Sequence, residues 1–94
     1  MADYEFPTDL IEAQRAFLAA SIKVAEIDAQ YPRPTAIAAG EASIPDELRQ
    51  AHAEAWAERD RTLDVLYGHS WWMEVPRAEH HAARMALRKA AQEG

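Results

Sequence analysis

Four basic side chains recur along the C-terminal stretch: Arg77, His81, Arg84 and Arg88, spaced i, i+4, i+7 and i+11. On a helix they form one stripe. Such a stripe can lie against phosphates or against an acidic protein groove. Immediately before it comes Tyr67-Gly68-His69-Ser70-Trp71-Trp72-Met73, the most unusual local sequence in the chain. Two adjacent tryptophans carry a large apolar area, and an indole is a common anchor in protein interfaces. Neighbouring residues rarely both face inward, so one indole is expected in the core and the other partly in solvent.

A second cluster is built around Arg59. It falls in the middle of an otherwise apolar helical face, with His52 on the same face two turns earlier. A buried guanidinium needs acceptors. If the first two helices are antiparallel, Arg59 lies opposite Gln14 and Ser21, and His52 lies nearer Asp28. The cluster reads as a polar layer that sets helix register, or as an arginine whose stem packs while its head reaches water.

Enzyme and metal chemistry find little to work with. His80 and His81 are adjacent and point about 100° apart on a helix, and no histidine pair has i, i+4 spacing. Ser21, Ser43 and Ser70 stand outside any nucleophile-elbow setting, and no glycine-rich phosphate loop occurs. No cofactor is implied. Absence of cysteine excludes a disulfide scaffold and a thiolate site.

These residues must be positioned by a small chain of 94 residues, which is one domain over 1–94. Its net charge of −6 disfavours non-specific binding of nucleic acid. The positive charge is concentrated at the C-terminal end, where the third helix lies. The opening Met1–Phe6 is acidic without an apolar run, which is unlike a secretory signal. Ala16–Ile22 is too short to span a bilayer. A soluble cytoplasmic protein without membrane contact is the expectation.

The spacing predicts three helices, over about 9–30, 45–67 and 76–91. In the first, Leu10, Phe17, Val24 and Tyr31 recur every seven residues, and Ile11, Leu18 and Ile22 form a second stripe. A polar seam of Gln14, Ser21 and Asp28 runs between them. A helix apolar on two sides touches two neighbours, so this one is central. Thr8 is placed as its cap, and Ser43 with Asp46 as a capping box for the second helix. Pro32 and Pro34 exclude helix at the start of a long first connection. Within it Thr35 can open a single turn closed by Gly40. In the third helix Ala78, Ala82, Ala86 and Ala90 line the face expected to pack. The result is an all-α fold, an antiparallel three-helix bundle with the third helix parallel to the first. A helical hairpin completed by dimerisation is the alternative.

Three places resemble known sequences: Phe6-Pro7-Thr8-Asp9-Leu10-Ile11-Glu12-Ala13-Gln14, then Leu66-Tyr67-Gly68-His69-Ser70-Trp71-Trp72, then Ala82-Ala83-Arg84-Met85-Ala86-Leu87-Arg88. They are similar to a group of small uncharacterised proteins of actinomycetes, in which a His-Pro tends to precede the aromatic pair; Ser70 stands here in place of that proline. The resemblance implies a small helical cytoplasmic protein and supplies no activity.

The expected role is that of a non-enzymatic interaction or regulatory protein. It would bind a protein partner, or itself, through Trp71, Trp72, Arg77, His81, Arg84 and Arg88. The alternative is a small nucleic-acid-associated regulator that uses the same basic stripe on phosphates. That alternative predicts affinity falling with salt by about one logarithmic unit per phosphate contact. Replacing Arg84 and Arg88 should flatten the slope in a salt titration, and binding indifferent to salt would reject it.

Overall fold

Leu10, Leu66 and Leu87 are wholly removed from solvent, and they come from the three long helices. In this computed structural model, which describes residues 4–93, the elements are α1 (Thr8–Asp28), α2 (Pro34–Ala38), α3 (Asp46–Tyr67) and α4 (His80–Glu93). Two short 3-10 turns, Ser70–Glu74 and Arg77–Glu79, join α3 to α4. Met1–Asp3 and Gly94, part of the single domain expected over 1–94, lie outside the described residues.

α1 and α3 are antiparallel. Leu10 meets Leu66 at one end, and Asp28 meets His52 toward the other. α4 runs parallel to α1, with Tyr4 beside Glu79 and Arg15 beside Ala91. The all-α, antiparallel three-helix arrangement expected from the spacing is therefore what forms, and α1 is its central member.

The helices start differently from the sequence expectation. Thr8 is already inside α1, and the N-cap is Pro7, with no side-chain cap. Ser43 does not cap α3; Pro45 is its N-cap, again without a side-chain bond. Both prolines sit in extended conformation (φ near −60°, ψ near +147°) and offer their carbonyls to the first free amides. Pro7 accepts from Leu10 and Ile11, and Pro45 from Leu48 and Arg49. A ring that presets φ orients these carbonyls without help from a hydroxyl. The third helical segment is also entered from a proline: Pro76 accepts from Glu79, and a 3-10 turn precedes α4 where regular α-helix was expected from Pro76.

The turn expected around Thr35 is α2, but Thr35 does not open it: Arg33 is the N-cap and Pro34, expected to exclude helix, is the first helical residue, where its missing N–H costs no intrahelical bond. Gly40 closes it at φ +74°. The Glu41 amide reaches back to the Ala36 carbonyl at 2.9 Å, a left-handed helix stop that only glycine adopts freely.

The core is in two parts. One joins Leu10, Ala13, Leu66, Trp72, Ala83 and Leu87, with α4 closing it. The other, farther along the hairpin, holds only Val24, Ile27 and Ala55 as buried members. The division follows from length. At about 1.5 Å per residue, α4 spans ~21 Å and α1 ~32 Å, so α4 covers only the N-terminal half of its neighbour. The second apolar stripe of α1 is accordingly half used: Ile11 is partly buried, while Leu18 and Ile22 are 41% and 51% exposed.

Two substitutions of similar size should separate these environments. Leu66→Ala is expected to cost about 2–5 kcal/mol. Ile22→Ala should change stability by no more than about 0.5 kcal/mol. Denaturant melts of the two variants check this, and equal losses would mean that the outer stripe is covered in solution.

Candidate functional site

The corner between α3 and α4 is built by its own aromatic and imidazole groups. α3 ends at Tyr67, with Gly68 following. A Cβ at Gly68 would lie 2.6 Å from the Asp64 carbonyl oxygen, so the tight exit leaves no room for a side chain. His69 then makes two bonds. Its Nδ1 accepts from the Trp71 amide at 3.0 Å, which caps the first 3-10 turn. Its Nε2 donates to Asp9 Oδ2 at 3.1 Å, tying the corner to the first turn of α1. This network assigns the Nε2–H tautomer. His80 Nε2 faces the carbonyls of Trp72 and Val75, each at 3.0 Å, and holds the other side of the turn.

Within that frame Trp72 is buried, and its indole N–H donates to the Leu66 carbonyl at 2.8 Å. That carbonyl lies in the last turn of α3 and has no helical partner. Trp71 is half-buried. Phe6 packs on it at 5.1 Å and Tyr4 at 6.1 Å, and its indole N–H donates to the Glu5 carbonyl at 3.2 Å. One indole is inside and one partly outside, and the outer one lies under the N-terminal arm. The side chain the corner holds out to water is Met73, 89% exposed. Beside it a groove of about 580 Å³ is lined by Tyr67, Trp72, Met73, Val75, Arg77 and His80.

The basic stripe lies on one side of α4 and the turn before it. Arg77, His81 and Arg88 are exposed, whereas Arg84 is half-buried at the margin of the packing face. That face is Ala83, Leu87 and Ala91, not the row beginning Ala78 and Ala82, both of which are exposed. The helix turns its one leucine inward because that removes the most apolar area from water, and Arg84 is carried toward the core with it.

The Arg59 layer also forms. Its guanidinium lies 5.1 Å from the Phe17 ring centre and 5.1 Å from that of Trp56. Nearer the connection between α1 and α3, Asp28 Oδ1 is 2.8 Å from His52 Nε2, and the Trp56 indole N–H points at the same nitrogen from 2.9 Å. One nitrogen cannot donate to a carboxylate and accept from an indole together, so these contacts are alternatives set by the imidazole's protons. Arg59 and His52 do not share a cavity lining, and among the described residues no three His, Asp or Glu side chains gather as a metal site.

Residues 9–90 match the model of a family of domains of unknown function, DUF8825. The chain belongs to that family. No curated protein and no solved structure matches it. The matched span of this DUF8825 member takes in the corner and all four helices except Thr8 and the last three residues of α4, but not the arm of Tyr4 and Phe6 that covers Trp71.

Met73, the His69–Asp9 tie and the arm are what the sequence reading did not single out. The arm has a measurable signature. Tyr4 donates to Glu79 Oε1 at 3.3 Å. Removal of the phenol from water, then the Glu79 charge and the bond to it, hold its pKa above the ordinary 10.0. The folded state thus keeps a proton that the unfolded chain loses near that pH. The contribution is complete below pH 10 and is lost as pH rises through the higher folded value. Absorbance titration should show one of the three tyrosines ionising late. Tyr4→Phe should abolish the late step, and Glu79→Gln should move it back toward 10. A single common titration would mean that the arm does not close over the corner in solution.

Proposed function

We propose that the chain is a non-enzymatic helical interaction protein, cytoplasmic and regulatory, that docks a protein partner on the corner between α3 and α4. Its arginine-rich composition and the three resembling segments favour an actinomycete source.

The exposure of Met73 carries this reading. A long apolar side chain held in water by a turn pinned at both ends has little conformational entropy of the backbone left to lose on binding. Its unbranched thioether adapts to a partner's pocket. The groove beside it has Trp72 as floor and Tyr67 as wall, which is the kind of apolar patch that partners cover. Arg77 stands at its edge, and His81 and Arg88 extend the same side along α4. The partner surface that fits presents an apolar side chain flanked by acidic groups, and the charges act mainly on encounter rate and orientation. The anchor role assigned to an indole on sequence grounds passes to Met73, because Trp71 is spent on the arm and Trp72 on the core.

The test is quantitative capture from host lysate after nuclease treatment, comparing the wild type with Met73→Asp and Arg77→Glu. Both positions are exposed, so the variants should fold. Met73→Asp should lose about 2 kcal/mol of affinity for the captured protein, or roughly 30-fold, and Arg77→Glu should slow association. Equal capture by all three chains rejects the corner as the docking surface.

A further inference from the structure

We propose that the cleft where α4 ends against the α1–α3 hairpin binds a small organic carboxylate with a short apolar tail. The cleft has a volume of about 370 Å³ and takes walls from all three long helices. It lies within the size range of small-molecule sites, and it is separate from the corner groove.

Its charge is the first reason. The chain carries 16 acidic side chains against 10 basic ones, yet the cleft is lined by two arginines, Arg59 and Arg88, and by no carboxylate. Among the described residues neither guanidinium has a carboxylate partner at hydrogen-bond length. The nearest acid to Arg59 is Asp60, at 3.9 Å, beyond hydrogen-bond length. Among the described residues the one side-chain hydrogen bond of Arg88 is to the Met85 sulfur, at 4.0 Å. In a chain of net −6, two guanidinium groups on one cavity without a carboxylate on its lining favour an anionic ligand.

The second reason is the polar floor. Gln14 is only 5% exposed and lies on the cleft lining. The Ser21 hydroxyl, on the same lining, is buried and has no hydrogen-bond partner among the described residues. Buried polar groups are almost always paired, so an unpaired hydroxyl on the cavity lining marks a donor held for something else. The Gln14 amide can turn its NH2 toward the cleft, and the Ser21 hydroxyl rotates to donate.

The third reason is preorganisation. The Arg59 guanidinium lies over both the Phe17 and the Trp56 ring, 5.1 Å from each centre, which restricts its fork before any ligand arrives. The carbonyl ends of α4 would oppose an anion. Arg15 Nε takes the Ala91 carbonyl at 3.0 Å and removes one of them from the cleft. Beyond the arginines the wall is apolar, Phe17 and Leu18, and Leu18 leads on to the exposed Ile22. A guanidinium pair, amide and hydroxyl donors and an apolar exit fit a carboxylate carrying a few methylenes. A bare phosphate would leave the apolar wall unused.

Titration of the full-length, ¹⁵N-labelled chain with hexanoate tests this, read at the Arg59 Nε–H, the Gln14 carboxamide and the Trp56 indole N–H. Saturable shifts at all three are expected. 1-Hexanol and inorganic phosphate should each bind about tenfold more weakly or worse, since each lacks one half of the recognition. Arg59→Gln and Arg88→Gln should each weaken hexanoate about tenfold. Arg88 is exposed, so its variant remains informative if Arg59→Gln fails to fold. Lack of saturation by about 10 mM, hexanol or phosphate binding as well as hexanoate, or an unchanged affinity in a folded Arg88→Gln chain would each overturn the assignment.

Discussion

The bond from the Trp72 indole to the Leu66 carbonyl is the constraint on which the remaining structure rests. It satisfies an acceptor that the end of α3 leaves without a helical partner, and it places a buried indole across the seam of three helices. With Trp72 there, the turn must bring α4 back over α1 rather than over α3. The two histidines complete the corner from opposite sides, His69 toward α1 and His80 toward the turn's own carbonyls. Three groups that look like candidates for chemistry are thus used in joinery. What is left over, Met73 on the outside and the arginines along α4, is what the molecule can offer to another.

Much of this is legible in the sequence, for a definite reason. A seven-residue spacing places Leu10, Val24 and Ile27 on one side of a helix and Gln14, Ser21 and Asp28 beside it. An antiparallel partner of similar length then has little freedom of register. That is enough to put His52 against Asp28 and Arg59 near Gln14 and Ser21, as found. The glycine stop at Gly40 and the end of α3 at Gly68 are equally local properties and are equally readable.

What escapes is decided by competition between faces. Alanines occupy so much of α4 that its small-residue row and its Ala83–Leu87–Ala91 row are both plausible packing surfaces. One leucine decides between them, by area, only once α1 and Trp72 are in place. The caps escape because a proline carbonyl does the work usually given to a hydroxyl. The arm escapes because Tyr4 and Phe6 belong to no periodic segment, and what holds them is Trp71 and Glu79, far along the chain. Met73 stands out only when its neighbours are known to be inside.

The mismatch in length between α4 and α1 makes the molecule mechanically graded along its 54 Å axis. At the corner end three helices, the arm and a web of imidazole and indole bonds must all give way together. At the other end a two-helix hairpin closes on Val24, Ile27 and Ala55 with Tyr31, Leu48 and Ala51 around them. Such a pair opens at a lower free energy than the whole. The far end can therefore fray and re-form while the corner stays assembled, so that amide protection would fall off with distance from Trp72 rather than vanish in one step. The Arg59 cleft sits on the boundary between the stiff portion and the soft one. Anything bound there would splint the two, lending the hairpin some of the cooperativity that a longer final helix would have supplied.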